Sequence, residues 1–409
     1  MVADVKMLPQ QSGGNGLSEY LRRTWARVDL DAIRENFYAA SGCVRPQCRI
    51  MAVVKADGYG HGAVPVARVL LDAGASWLGV SNLDEALQLR EAEIDAPILV
   101  LGYTPPEEAS VLARYNITQT VLAAEYGRRL NERAEECGVR IRVHIKLDTG
   151  MGRIGIPCLS QDSVQRSADE IQGICALSAL DCEGIYTHFA TADERDDGGF
   201  TRRQFELFNA VLYELSSRGV EFEIRHCCNS AAMLHYPDMQ MDVVRLGLIL
   251  YGLYPDGWLK ELIDVRPAME LKTVISEVKD VGGDVGVSYG RTFITGGDTK
   301  LATVPLGYAD GYSRKLSGQA DMLVNGRRAR VAGRVCMDQC VIDVSNAPDV
   351  SEGQTVTLFG ADGKDEIQVE ELTDMLGTIN YEFVCIIGKR VPRIYYSGGL
   401  EVDYLNYIL

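Results

Sequence analysis

At 409 residues the chain is too long for one small core, so one large domain joined to a second is the expectation. Apolar residues make up 46% and charged residues 24%, the proportions of an ordinary globular protein with no tract biased enough for disorder. Its 41 basic residues against 57 acidic ones leave a formal net charge of −16, which argues against nucleic acid or an anionic membrane as the main partner.

Residues 1–23 lack the apolar stretch of a secretory signal, and PQQSGGNG (9–16) reads as part of a flexible tail. No run approaches the roughly 20 apolar residues needed to span a bilayer. The expected location is cytoplasmic, which leaves the sequon at Asn116-Ile117-Thr118 as chance. Eleven cysteines form no C-x-x-C pair, and Cys175, Cys182 and Cys385 lie in apolar segments. They read as reduced thiols of the interior, with no metal site.

From residue 49 onward, short β-branched runs alternate with helix-period segments. The predicted strands are 49–57, 77–81, 97–102, 117–122, 142–149, 182–190, 223–230 and 243–252. Between them lie amphipathic stretches such as AVPVARVLLDAG and AEYGRRLNERAEECG. This alternation predicts βα units and a parallel sheet. Eight units in about 200 residues suit a closed (β/α)8 barrel of TIM type better than an open sheet. After Pro255 the texture changes to alternating strands separated by Gly-rich turns, predicting a mostly antiparallel β domain. The expected boundaries are a tail at 1–23, a barrel at 24–262 and a C-terminal β domain at 263–409.

In such barrels function collects where strands end. Lys55, Lys146, Asp148, Arg153, His188, Asn229, Ser230 and Arg245 all fall at predicted strand ends. VVKADGYGHG (53–62) sets a lysine before a glycine-rich turn, which fits either a solvated lysine or an amine aimed at a carbonyl cofactor. Arg245 within VVRLG is a cation in an apolar strand, needing either a carboxylate or an unprotonated ring nitrogen as acceptor. Gly247 beyond it can let backbone N–H groups face a phosphate. His188 can be a core group or part of a hydrogen-bonded relay. Tyr289 in a turn of the β domain reads locally as a packing residue; as a base it would need cationic neighbours. Gly150-Met151-Gly152-Arg153-Ile154-Gly155 matches G-x-G-x-x-G, but at the fifth strand and without the later acid that a dinucleotide site needs.

VVKADGYGHG, KLDTGMGRIG, THFATAD, CCNSAA, VRLGLILYG, VSYGRTF, VPLGYADGY, GRVCMDQ and INYEF follow one another in an order that resembles the alanine racemase family. The resemblance runs from Trp25 to Arg393, nearly the whole chain beyond the tail. It implies a barrel followed by a β domain, pyridoxal 5'-phosphate as cofactor, and a homodimer whose two sites each borrow residues from the partner. It implies covalent attachment of the cofactor to Lys55, and a phosphate held by Tyr59, Ser230, Tyr381 and the backbone of Gly247 and Leu248. Arg245 would meet the pyridine nitrogen, with His188 and Asn229 also near the cofactor. Arg153 would reach the phenolic oxygen and the substrate carboxylate, and Lys146 matches a position often carbamylated.

The same resemblance makes Lys55 and Tyr289 the two acid/base groups of an alanine racemase, one for each face of the α-carbon, with Tyr289 supplied by the other subunit. Tyr308, Tyr381 and Met337 would crowd the substrate's methyl group. A retained arginine proton keeps the ring nitrogen unprotonated, which weakens the electron sink and favours reprotonation over transamination. The implied product is D-alanine for peptidoglycan. The alternatives are a serine or broader small-amino-acid racemase of the same family, and a non-catalytic protein that binds the cofactor. A barrel-type decarboxylase would carry an acid where Arg245 stands. Gly58 departs from the alanine more usual in the family.

Overall fold

The computed structural model describes residues 23–408, so the tail expected over 1–23 lies, apart from Arg23, outside the described residues. They divide into two compact units. One takes in Ala26–Glu270, Ile367–Lys389 and the chain from Arg393 onward; the other takes in Leu271–Glu366, Arg390–Pro392 and the described residues up to Trp25.

The first unit carries the barrel. After β1 (Thr24–Asp29) and α1 (Leu30–Ser41) come β2 (Arg49–Val53), β3 (Trp77–Val80), β4 (Ile98–Val100), β5 (Thr118–Val121) and β6 (Ile141–Asp148). A two-residue β7 (Ile156–Pro157) adds onto β6, and β8 (Leu180–Tyr186), β9 (Ile224–His226) and β10 (Val243–Leu246) complete the set. Eight strands lie parallel in the order β10-β2-β3-β4-β5-β6-β8-β9. Across the remaining seam Asp242 N donates to Arg225 O at 3.0 Å and Arg245 N to Cys228 O at 2.9 Å, so the ring all but closes. Strands β3, β4, β5 and β10 are buried along their whole length, as a parallel sheet covered on both faces requires. Met51, Trp77, Leu99, Ile224 and Val243 pack together inside the barrel.

The helices between strands are α2 (Ala63–Ala73), α3 (Leu83–Glu91), α4 (Ala109–Arg114), α5 (Ala124–Cys137), α6 (Val164–Cys175), α7 (Phe200–Ser217) and α8 (Ser230–His235). Asp29, Asn82 and Asn229 cap α1, α3 and α8 by accepting from Ala32 N, Glu85 N and Ala232 N. No helix among the described residues is long and apolar enough to cross a membrane.

All eight predicted barrel strands exist, but those bearing site residues stop early. The first ends at Val53, two residues before Lys55, and the last at Leu246. Val54 N still donates to Gly79 O at 2.9 Å; past Leu246 the backbone leaves the ladder, and Gly247 N turns to Ser230 Oγ at 3.0 Å instead of a neighbouring strand.

The second unit holds most of β11 (Met269–Val274), then β12 (Glu277–Val281), the pair β13 (Gly286–Val287) and β14 (Phe293–Ile294), β15 (Thr299–Val304), β16 (Asp321–Val324), β17 (Arg327–Val331), β18 (Cys340–Asp343), β19 (Thr355–Asp362) and β20 (Asp365–Ile367). Its main sheet is antiparallel in the order β12-β15-β18-β17-β16-β19-β11. Burial alternates along β11 and β18, the mark of a sheet with one face packed.

Helices α9 (Val369–Leu376) and α10 (Asn380–Cys385) and the hairpin β21 (Arg393–Ser397) and β22 (Leu400–Leu405) group with the barrel unit. The reason is local: Arg393 and Tyr395 hydrogen-bond to the carbonyl oxygens of Gly60 and His61, in the turn after Lys55.

Candidate active site

The turn after Lys55 is left-handed. Ala56, Asp57, Gly58, Tyr59 and Gly60 all have φ between 51° and 79°, with Gly58 N bonded to Val54 O and Gly60 N to Ala56 O. Three of the five are not glycine, and such residues cost roughly 1–2 kcal/mol each in this region. The surroundings hold them there. Asp57 Oδ1 accepts from Ala63 N at 2.9 Å and Asp57 Oδ2 from the Tyr407 hydroxyl, while Ala56 N donates to Glu85 Oε1 at 2.8 Å. Glycine is needed at position 60, where a Cβ would lie 2.1 Å from the Val384 oxygen.

The half-buried Lys55 thus sits between a barrel strand and a rigid turn. Burial first, then the positive charge of Arg153, holds its ammonium below the ordinary lysine value, with Glu85 and Cys385 opposing. A larger share of its amine is therefore neutral and nucleophilic.

Buried Tyr59 follows in the same turn, its ring 4.9 Å from Tyr251 and 6.2 Å from Tyr381. Burial pushes both Tyr59 and Tyr381 up, so both stay hydroxyl donors at neutral pH. Gly247 lies against Tyr59, and a Cβ there would sit 2.6 Å from the tyrosine oxygen. Gly247 N donates to Ser230 Oγ at 3.0 Å, which leaves the serine proton free to point elsewhere. Leu248 opens a short 3-10 turn, so its N–H is among those with no partner inside the turn. Two hydroxyls, a serine and leading backbone N–H groups make a compact cradle for a phosphate.

Arg245 is buried and, among the described residues, has no carboxylate in contact. One terminal nitrogen meets His226 Nδ1 at 2.8 Å; the other meets Thr187 O at 2.8 Å, Cys227 O at 2.9 Å and His188 Nδ1 at 3.1 Å. Its Nε makes no hydrogen bond to a described residue. The guanidinium is thus fixed on one side and open on the other. His188 is pushed well below its ordinary value by burial, then by the charges of Arg245, Lys146, Arg153 and Lys55, so it accepts from Arg245 as a neutral ring.

Lys146 is buried beneath, with no hydrogen-bond partner for its Nζ among the described residues and the Tyr186 ring 4.7 Å away. Burial and then the Arg245 charge push it well below the ordinary lysine value, which favours the neutral amine. Arg153, directly after the left-handed Gly152, is exposed and makes no hydrogen bond among the described residues. Asn229 spends its side-chain oxygen on capping α8. The glycine-rich stretch after β6 is folded around Asp148, whose carboxylate accepts from Gly150 N, Met151 N and Gly152 N at 3.0, 2.9 and 3.1 Å. Those N–H groups are therefore not available to a dinucleotide's phosphates.

Tyr289, Tyr308 and Met337 belong to the second unit and are 72%, 43% and 52% exposed. They gather around Cys336: Tyr308 N donates to Cys336 O at 3.0 Å, Ala309 N to Met337 O at 3.1 Å, and Ser288 Oγ lies 3.3 Å from Cys336 Sγ. Ser288, Gly290 and Arg291 all have positive φ, so a strained turn presents Tyr289 outward. Three large side chains left bare in one place suit contact with another surface.

These groups fit pyridoxal phosphate. The cradle that a Cβ on Gly247 would fill suits its phosphate, the open side of Arg245 its ring nitrogen, and the Lys55 amine its carbonyl carbon. Sequence reasoning missed His144, Glu183 and His226. The signal was present in HIK and RHC, where a histidine interrupts a buried strand.

Residues 28–255 match the alanine racemase N-terminal domain and residues 268–395 the alanine racemase C-terminal domain. An alanine racemase of Desulforamulus reducens is 49% identical over 91% of this chain and 98% of its own length. The structure of alanine racemase from Clostridium difficile 630 superposes with a TM-score of 0.89 at 39% identity, covering 95% of this chain and 99% of that one. A histidine racemase from Leuconostoc mesenteroides gives 0.82 at 30%, covering 92% and 98%. The chain belongs to the alanine racemase family, pyridoxal phosphate-dependent isomerases that interconvert the enantiomers of alanine and supply D-alanine for the cell wall.

Proposed function

We propose that the chain racemises alanine with Lys55 and Tyr289 as its two bases, and that it does so as a homodimer in which Tyr289 of the partner subunit completes the site. Bound pyridoxal phosphate supplies an electron sink for the pair left when the α-proton departs. Tyr59, Ser230, Tyr381 and the N–H groups of Gly247 and Leu248 hold its phosphate, Gly247 N exchanging its bond to Ser230 Oγ for one to the phosphate. Arg245 keeps its proton and orients the ring nitrogen, supported by His188. Arg153 takes the substrate carboxylate; Lys146, carbamylated by carbon dioxide, would carry the negative charge that holds Arg153. Asn229 contributes next to the phosphate through its amide nitrogen.

Lys55 Nζ takes or returns the proton on the face used by D-alanine, and Tyr289 Oη serves the face used by L-alanine. A positioned proton-transfer group contributes about 10²–10⁴-fold, so orientation and the electron sink carry the remainder. Tyr308, Tyr381 and Met337 narrow the space for the substrate's side chain and favour a methyl group. We place the enzyme in the cytoplasm.

The observation that carries this reading is the fixed arginine without a carboxylate. A protein that only stored the cofactor would not need a ring-nitrogen partner that resists protonating it, and a decarboxylase would want an acid there. The test is incubation of the purified protein with L-alanine, L-serine and L-histidine in turn, followed by chiral separation. D-alanine should form fastest. Failure to form any D-enantiomer, with a cofactor that borohydride fixes to Lys55, overturns racemisation. Faster conversion of serine or histidine overturns the substrate assignment alone.

A further inference from the structure

Below the site, a line of side chains crosses the barrel from Arg245. Arg245 meets His226 Nδ1 at 2.8 Å, His226 Nε2 meets His144 Nδ1 at 2.9 Å, and His144 Nε2 faces Glu183 Oε1 at 3.5 Å. The last distance is long for a hydrogen bond, and among the described residues His144 Nε2 has no closer partner. Glu183 Oε1 is itself held by Thr118 Oγ1 at 2.9 Å.

The direction of this line follows from what an arginine can do. A guanidinium only donates, so His226 Nδ1 carries a lone pair and the His226 proton sits on Nε2. That proton is donated to His144 Nδ1, which places the His144 proton on Nε2, toward the Glu183 carboxylate. Both rings are neutral: burial is the largest cause holding each below its ordinary value, followed for His226 by the Arg245 charge. Burial alone would raise Glu183, but His144 and Thr118 outweigh it and keep the carboxylate ionised.

The barrel is shaped to bring Glu183 there. Along β6 and β8 the ladder pairs Val143 with Cys182 but His144 with Gly184, so Glu183 is the extra residue of a β-bulge. Gly184 makes room for the ring, since a Cβ there would lie 2.7 Å from three His144 atoms. Tyr186 stacks on His226 at 4.6 Å and 12°, and Trp77 packs on His144 at 5.3 Å.

We propose that Glu183 is a positioning residue for Arg245: its charge, passed through two imidazoles of fixed tautomer, is the counter-ion that the buried guanidinium lacks in direct contact. Glu183 and His144 touch neither substrate nor cofactor. The inference rests on Arg245 being the ring-nitrogen partner, as proposed above, but the tautomers can be read without that assumption.

The experiment uses the cofactor-loaded protein with 15N-labelled histidine. NMR should report His144 and His226 as neutral rings protonated at Nε2. In Glu183→Gln, whose amide oxygen can still accept from His144, the fold is kept and only the charge is lost. The nitrogen shifts of His144 and His226 should move while those of His61 and His235 stay. The kcat should fall about tenfold, the lower end of what outer-shell partners are worth at metal-bound histidines, with KM for alanine within twofold. A doubly protonated or Nδ1-protonated ring at either position overturns the relay. A kcat within twofold of the parent overturns the role of Glu183, whatever the shifts do. Should the protein fail to racemise any amino acid, the tautomer result still decides the relay by itself.

Discussion

Arg393 Nε donates to the carbonyl oxygen of Gly60 at 2.9 Å, joining residues 333 positions apart in the chain. Its two terminal nitrogens donate to Gly388 O and Ile387 O, both at 2.8 Å. One planar fork thus pins the left-handed turn after Lys55 to the C-terminal segment. A lysine carries its donors on a single point and cannot span three carbonyls. Arg393→Lys should lower stability by about 2–4 kcal/mol, since buried carbonyls lose their partners. Chemical denaturation measures the loss, and the variant should also release cofactor more readily on dialysis.

Gly247 and Tyr59 share a space that admits no methyl group. Gly247→Ala must displace the tyrosine ring, an overpacking cost of about 1–3 kcal/mol. Placed on the bound state, that weakens cofactor affinity by about tenfold to a hundredfold. Titration of cofactor-free protein followed by visible absorbance reads this out, and an unchanged dissociation constant would remove Gly247 from the cradle.

Lys55 should capture the cofactor at a lower pH than an ordinary lysine. Its pKa is depressed, so the neutral amine appears earlier as pH rises, and the capture rate should half-rise below about 10.4. Arg153 is the second cause of that depression. Arg153→Gln should therefore shift the rate profile to higher pH, by less than burial itself contributes. Stopped-flow capture rates across pH check both statements.

Acid should unfold the protein early. His61, His144, His188 and His226 all have folded pKa values below the unfolded one, that of His61 about 4 against 6.5. The unfolded chain then binds more protons, so stability falls as pH drops below about 6.5 and goes on falling until the folded values are reached. For His61 alone the loss approaches about 3 kcal/mol near pH 4. Thermal melting from pH 8 to pH 4 should show a plateau above about pH 7 and a steep decline beneath it.

Tyr289→Phe separates the two faces of the α-carbon. Enantiomers have equal free energies, so steady-state kcat/KM must fall equally in both directions, by about 10²–10⁴. Solvent exchange of the α-hydrogen is not bound by that symmetry. D-alanine should keep exchanging through Lys55 while L-alanine exchange stops. Retained L-alanine exchange would displace Tyr289 as a base. Activity per milligram should also fall on dilution below the dimer's dissociation constant.

Much of this was legible along the chain because it rests on local patterns. Period-two and period-3.6 hydrophobicity marked eight βα units, and a barrel puts strand ends on one rim, so Lys55, Lys146, His188, Ser230 and Arg245 could be grouped before any coordinate was known. The order of motifs carried the family. What the chain could not display was anything decided by partners distant in sequence. VVKADGYGHG suggested a permissive turn, yet Ala56, Asp57 and Tyr59 are left-handed without glycine's freedom, held by Glu85, Tyr407 and Arg393 from elsewhere. A bulge at Glu183 exists only in the pairing of β8 with β6, since one extra residue has no signature in a single strand.

The amino-acid order by itself therefore determined the elements, their alternation and the chemical types available at the rim, because those depend on side chains a few positions apart. Only the tertiary structure decided which lysine is buried without a hydrogen-bond partner among the described residues, which histidine tautomers are possible, and what stands behind Arg245. Protonation state is set by burial and by charges brought close through folding, and neither is written in sequence spacing.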